Sequence, residues 1–223
     1  MAMDFNCTEV TIPCECGQLE GRLLSKSDAQ QGPGLIICPP HPLLAGTMDN
    51  NVVQAIAHAM VATMPVLLFN YRAVGKSSHP QPDLTLLEYW HGLDERKEYG
   101  AVIREVGQVM EWSLGYFADF HLLGYSFGSY IALQAMNSQA LSYTAISPPL
   151  AEHDFSALEN LKRPGYVILA EKDEFLEGAV QQVPENVHCL QILKGADHLF
   201  IKREGEVAAR VADFLLNIEK RSL

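Results

Sequence analysis

Short, largely apolar runs alternate along the chain with segments whose apolar residues recur every three or four positions. The runs Leu35–Cys38, 65–70, 119–123, 141–146, 166–170 and 187–193 have the length of strands and are bounded by turn residues. Runs with apolar residues at successive positions, rather than strictly at alternate ones, belong to strands covered on both faces. Between them, Val52, Val53, Ile56, Ala57, Met60 and Val61 predict a helix over 50–63, with Asn50 as its cap. Val102, Ile103, Val106, Val109, Met110 and Leu114 predict a second over 98–115, residues 129–136 a third, and 203–220 a last one. Leu84, Leu86, Leu87, Tyr89, Trp90 and Leu93 mark a shorter helix within 84–96, covering part of the sheet's end. Residues 7–16 and 18–24 read as a β-hairpin meeting near Gly17, and the polar stretch Ser25–Gly34 as a loop. The alternation predicts an α/β fold: a mostly parallel sheet with helices on both faces and an antiparallel hairpin at its N-terminal edge. One domain spanning 1–223 is expected, with 79–98 as a short insertion near the site.

The sheet architecture supplies a filter, because ligands bind beyond the carboxyl ends of parallel strands. One post-strand segment dominates it. Gly124-Tyr125-Ser126-Phe127-Gly128 lies between the 119–123 strand and the 129–136 helix. A G-x-S-x-G turn in that context is a nucleophile elbow. The turn is so sharp that the serine is forced toward strained backbone angles, and the glycines let neighbouring backbone pass closely. The N–H of Phe127, at the start of the helix, then faces a place where an oxyanion can form.

Composition narrows the class of partner. A net charge of −11 argues against nucleic acid and against anionic membrane surfaces. The opening Met1-Ala2-Met3-Asp4-Phe5 lacks the basic-then-apolar pattern of a signal peptide, and a cytoplasmic location is expected. The five cysteines, Cys7, Cys14, Cys16, Cys38 and Cys189, are odd in number and irregular in spacing, which fits reduced thiols rather than a disulfide framework. Cys14 and Cys16 share one face of a strand, but no further ligand lies near them in sequence, so no metal site is expected. No phosphate-binding glycine loop is present, and no cofactor is expected.

A nucleophilic serine needs a base, and the base needs an acid to fix its tautomer. In this fold the order along the chain is serine, acid, histidine. Ser126, Asp173 and His198 satisfy it. Asp173 follows the 166–170 strand, with Glu171 and Glu174 as rivals. His198 stands in Gly195-Ala196-Asp197-His198, between the last strand and the last helix, where Asp197 reads as a turn residue. His188 opens a strand and reads as structural. A second oxyanion donor should come from the loop after Leu35–Cys38. Pro42 has no N–H, which leaves Leu43, with Leu44 as the alternative. The ring of His41 is expected to brace that loop, and Arg72 to brace the neighbouring ones. Leu44, Trp90, Pro149 and Phe175 are expected to line a substrate pocket.

These residues carry a family resemblance. From about residue 34 onward the chain resembles the α/β-hydrolase superfamily. Pro39-Pro40-His41-Pro42, Gly46-Thr47-Met48-Asp49-Asn50, Phe69-Asn70-Tyr71-Arg72, the elbow and Gly195-Ala196-Asp197-His198 look like a group of small, lid-poor bacterial serine hydrolases. These are related to the dienelactone-hydrolase-like enzymes, with serine in place of that enzyme's cysteine. The resemblance implies Ser126 as nucleophile, Asp173 as acid and His198 as base. Two departures, Ala73 after Arg72 and Ala45 before Gly46 where glycine is common, touch substrate details rather than these roles. The expected function is hydrolysis of small carboxylic esters or thioesters by a monomer or homodimer. The alternatives are a non-catalytic small-molecule binder on the same fold and a peptidase of the superfamily.

Overall fold

A computed structural model describes residues 5–26, 32–176, 183–185 and 187–222. The Met1–Asp4 part of the N-terminal reading and residues 27–31 of the expected loop lie outside the described residues.

The strands β1 (Asn6–Cys14), β2 (Gly17–Ser25), β3 (Gly34–Cys38), β4 (Val66–Phe69), β5 (Phe120–Tyr125), β6 (Ala140–Ile146), β7 (Gly165–Ala170) and β8 (Cys189–Leu193) form one sheet in the order β1-β2-β4-β3-β5-β6-β7-β8. β1 and β2 pair antiparallel from Asn6↔Ser25 to Cys14↔Gly17, and β2 joins β4 antiparallel. The pairings from β4 through β3, β5, β6 and β7 to β8 are parallel.

The order reverses direction at β3. The chain leaves β3 toward β4 on one side and later returns to β5 on the other. Loops leaving the carboxyl ends of β3 and β5 therefore diverge, and a crevice opens between them. His41 follows β3 and Ser126 follows β5, so both stand at that crevice.

Side chains alternate across the central strands and feed two cores. Ile36 and Cys38 of β3 enter one, with α2 (Leu86–Arg96), α3 (Gly100–Ser113) and α4 (Phe127–Ala135) above it. Leu35 and Ile37 enter the other, which is closed by α1 (Asn51–Met60) and α5 (Glu204–Ser222). This double burial is why the inner strands read as largely apolar runs.

Caps account for the helix starts. The Asn50 side chain accepts hydrogen bonds from the N–H groups of Val52 and Val53. Thr85 and Glu88 form a reciprocal capping box at the start of α2. Several boundaries shift by one to three residues from expectation, and two of the shifts have a clear local cause. α4 begins at Phe127 rather than 129, because the elbow runs straight into the first helical turn. α1 ends at Met60 rather than 63, where Thr63 and Met64 close a turn back onto the Met60 carbonyl. The last strand differs in kind. β8 is an edge strand, and Leu190 and Ile192 are 43% and 47% exposed, so an apolar run there does not signal burial. Among the described residues no helix is long and apolar enough to cross a membrane.

Candidate active site

The elbow is built from backbone crowding. A Cβ on Gly124 would collide with the backbone of Gly128 and Ser129, and one on Gly128 with the carbonyls of Cys38 and Pro39. Only glycine permits β5, α4 and the end of β3 to approach this closely. Ser126 sits at φ 52° and ψ −125°, a conformation that costs a non-glycine residue about 1–3 kcal/mol. Its N–H donates to Ile146 O at 2.8 Å, which ties the strained turn to the end of β6. The Ser126 hydroxyl caps nothing on α4 and is left for other partners.

That partner is His198. Its Nε2 lies 2.9 Å from Ser126 Oγ, and its Nδ1 lies 2.8 Å from Asp173 Oδ2. Residues from the loops after β5, β7 and β8 thus meet in one hydrogen-bonded chain. Ser126, Asp173 and His198 are 5%, 7% and 9% exposed, so the chain is held largely out of water. The other oxygen of Asp173 accepts the Phe175 N–H at 3.0 Å, which fixes the carboxylate plane. Tyr125 donates its hydroxyl to His198 O at 2.8 Å, and the Phe175 ring packs against the imidazole at 4.6 Å. Asp197 closes the local turn, accepting from Phe200 N through its carbonyl and from Ile201 N through its side chain. Glu171 instead accepts the Gly195 N–H at 2.7 Å, bracing the histidine loop from outside.

The loop after β3 folds into a short 3₁₀ turn over Pro42–Leu44, capped by His41. Leu43 N–H donates to His41 Nδ1 at 3.2 Å, so in this state that donor is engaged with the ring. A backbone N–H can only donate; Nδ1 is therefore the acceptor, and the proton of neutral His41 is on Nε2. Nε2 faces Asp94 Oδ1 at 3.0 Å, and Tyr99 donates to the same oxygen at 2.9 Å. Burial pushes the His41 imidazole pKa down, partly offset by the Asp94 carboxylate. Phe127 occupies the first position of α4, where its N–H has no intrahelical acceptor.

Ser126, Phe127, Leu43, Leu44, Pro149 and Phe175 line a cavity of about 530 Å³. Trp90, expected on its wall, is fully buried behind it. The indole packs edge-on to His41 at 5.3 Å and to Phe127 at 6.1 Å, and its N–H donates to Arg72 O at 3.3 Å. It supports the loop and contacts no ligand space. The wall also includes His41, Asp94, Lys97, Tyr99, Glu152 and His153, which sequence reasoning did not place there. Apart from His41, expected only as a brace of its loop, nothing in their local pattern separates them from ordinary positions of α2, the turn after it and the loop after β6. Burial, with Lys97 and His41 nearby, pushes the His153 pKa down to about 4, so this wall residue is neutral at pH 7.

Arg72 does not face the cavity. Its guanidinium meets the buried Glu105 through Nε–Oε2 at 2.8 Å and Nη2–Oε1 at 2.7 Å, and reaches Glu15 at 3.1 Å and Tyr89 at 3.2 Å. It joins the hairpin tip, α2 and α3 from below the site. Removing one member of such a buried pair strands the other's charge. Arg72→Ala is expected to lower unfolding stability by about 3–5 kcal/mol, read from urea denaturation at neutral pH.

The sheet order, the switch-point crevice and the glycine-enforced elbow define the α/β-hydrolase fold. No protein-family model matches the chain. It is similar to an α/β serine hydrolase homologue from Coxiella burnetii, at 25% identity and a TM-score of 0.77, covering 96% of this chain and 100% of that one. An α/β serine hydrolase without a lid from Xanthomonas campestris superposes with a TM-score of 0.75 at 22% identity, covering 99% and 97%. A dienelactone hydrolase from Anabaena variabilis gives 0.70 at 18% identity, covering 96% and 99%. Among curated sequences, an uncharacterised protein of Rickettsia prowazekii (strain Madrid E) is 28% identical over 220 residues, 91% of this chain and 86% of its own.

Proposed function

We propose that this protein is a serine hydrolase that cleaves small carboxylic esters or thioesters through an acyl-enzyme on Ser126. The observation that carries the reading is the hydrogen-bonded run from Asp173 through His198 to Ser126, at 2.8 and 2.9 Å, at the carboxyl end of the sheet. The likeness to the Coxiella serine hydrolase homologue and the lid-less Xanthomonas serine hydrolase supports the same class.

The chemistry follows from the groups present. His198 Nε2 accepts the Ser126 proton as Oγ attacks the substrate carbonyl carbon. Asp173 holds the Nδ1 proton and stabilises the imidazolium that results. Negative charge on the carbonyl oxygen is met by the Phe127 N–H and by the Leu43 N–H, which turns from His41 Nδ1 toward the oxyanion. His198 then hands its proton to the departing alcohol or thiol. Water, activated by the same imidazole, releases the acid. Leu44, at 54% exposed, stands at the cavity rim, and Pro149 and Phe175 offer apolar contact to a short acyl chain.

Asp94 has a part in this scheme through His41. Its carboxylate keeps the His41 proton on Nε2, so that Nδ1 stays an acceptor and the turn bearing Leu43 keeps its shape. An amide at 94 can offer its NH₂ to Nε2 and reverse the tautomer. Asp94→Asn is expected to lower kcat by about 10- to 100-fold, less than the 10²–10³ typical of losing an oxyanion donor outright. Steady-state kinetics on one short ester would show this as a fall in kcat with KM changed much less.

The class is tested on a panel of p-nitrophenyl esters of increasing acyl length, short acyl thioesters and dipeptide amides. Turnover of the short esters or thioesters, with amides untouched, is the expected result. Preferential cleavage of dipeptide amides would select a peptidase instead, and no turnover of any member would favour a binding protein.

A further inference from the structure

The hairpin tip holds a cluster that lies outside the Ser126 cavity. Cys14 Sγ and Cys16 Sγ are 3.2 Å apart, and Cys14 Sγ lies 3.7 Å from Glu105 Oε1. The three ligand atoms all fall within 4.8 Å of one another. None of the three residues lines the cavity. Glu105 is distant in sequence, 91 positions from Cys14, and comes from α3. The fold supplies the third ligand that the local sequence lacks.

We propose that Cys14, Cys16 and Glu105 bind one thiolate-seeking divalent cation of tetrahedral preference, of the Zn²⁺ type, with water completing the coordination. In a tetrahedral site with Zn–S near 2.3 Å and Zn–O near 2.1 Å, sulfur atoms stand about 3.8 Å apart and sulfur–oxygen pairs about 3.6 Å. The Cys14 Sγ–Glu105 Oε1 spacing of 3.7 Å already matches, and the sulfur pair, at 3.2 Å, needs to open by about half an ångström.

The surroundings hold the ligands in place without the metal. The turn residue between the cysteines is pinned to α3 by Glu15 N–H donating to Gln108 Oε1 at 2.9 Å. The Glu15 carboxylate is gripped by Arg104 at 2.9 Å and Arg72 at 3.1 Å. Glu105 is 1% exposed, and Arg72 holds it oriented through two hydrogen bonds, the role outer partners play for metal-bound carboxylates. A carboxylate oxygen that accepts one N–H bond retains a lone pair for a cation.

Charge balances as well. Glu15 and Glu105 offset Arg72 and Arg104, so exchanging two thiol protons for one divalent cation leaves the cluster's net charge unchanged. Burial and the Glu105 carboxylate raise the pKa of both thiols. On binding, two S–H bonds break, two sulfur–metal bonds form, and two protons pass to water without electron transfer. The half-buried sulfurs leave a path for entry. The bound ion would clip the hairpin tip to α3.

The test uses the full chain under a non-thiol reductant, with thiol counting to establish that all cysteines are reduced. Cd²⁺ is titrated while the thiolate-to-metal charge-transfer absorption is followed, and Zn²⁺ affinity is measured by competition with a chromophoric chelator. One equivalent of each is expected. Cys14→Ser and Cys16→Ser should each weaken binding by more than the 10- to 100-fold typical of losing an outer-shell partner. Cys7→Ser and Cys189→Ser, at exposed thiols, should change neither stoichiometry nor affinity. Thermal unfolding with equimolar Zn²⁺ should shift upward in the parent and not in Cys16→Ser, a readout independent of ester turnover. No saturable binding by the reduced parent, or binding that survives both Cys14→Ser and Cys16→Ser, would overturn the proposal.

Discussion

Replacing Ser126 with alanine should leave a folded protein whose ester turnover falls by on the order of 10⁶-fold, the loss seen when a serine nucleophile is removed from a comparable relay. The change deletes one oxygen. That oxygen makes no cap to α4, and its described partner is His198 Nε2 at 2.9 Å. The strained backbone is retained, since alanine at φ 52° meets the same crowding as serine. Unfolding stability should therefore move by no more than about 1 kcal/mol, the scale of one hydrogen bond. The two readouts belong together: turnover under single-turnover and steady-state conditions, and the urea midpoint. An inactive variant that had also lost stability would say nothing about chemistry. A stable variant that kept its rate would mean that Ser126 is not the nucleophile.

Asp173→Asn carries the second largest effect, about 10⁴-fold in kcat. One carboxylate oxygen accepts the Phe175 N–H at 3.0 Å and the other faces His198 Nδ1 at 2.8 Å. The backbone N–H demands an acceptor, so an asparagine there keeps its carbonyl oxygen on Phe175 and turns its NH₂ toward Nδ1. The imidazole must then carry its proton on Nε2, where it cannot take one from Ser126. The size of the ring and its position barely change, so the loss reports the tautomer. Glu171 is the control. It spends its carboxylate on Gly195 N–H at 2.7 Å, and Glu171→Gln should keep kcat/KM within a few-fold. A large loss in Glu171→Gln with little in Asp173→Asn would exchange their roles.

The elements that lay open in the sequence were those whose signal is local. Apolar runs marked the inner strands because both faces are covered, and Gly124 and Gly128 marked the elbow because nothing larger fits there. The order serine, aspartate, histidine followed from the fold class, and the structure brings those side chains together. What stayed hidden depends on neighbours. A tryptophan on a cavity wall and one packed behind it have the same sequence pattern, so Trp90 was placed one layer too far forward. Asp94 looks like any solvent-facing acid of α2 until the fold sets it 3.0 Å from His41. Glu105 sits among apolar residues of α3, and only tertiary packing shows that it meets Arg72 and the two cysteines. The composition of β8 matches the inner strands and predicts burial, yet its place at the sheet edge exposes Leu190 and Ile192. Eliminating Pro42 leaves Leu43 or Leu44 as the expected donor, and the engagement of the Leu43 N–H with His41 is invisible without coordinates.

A serine made nucleophilic by its surroundings is the centre of the proposed chemistry, and labelling with a fluorophosphonate tests it most directly. The folded parent, His198→Ala and the heat-unfolded parent are exposed to the probe, and the modified peptide is located by mass spectrometry. Stoichiometric label on Ser126 in the folded parent is expected, with none after unfolding and a rate at least about 10³-fold lower in His198→Ala. Absence of label from Ser126 in the folded parent, or an equal rate in His198→Ala, would contradict it.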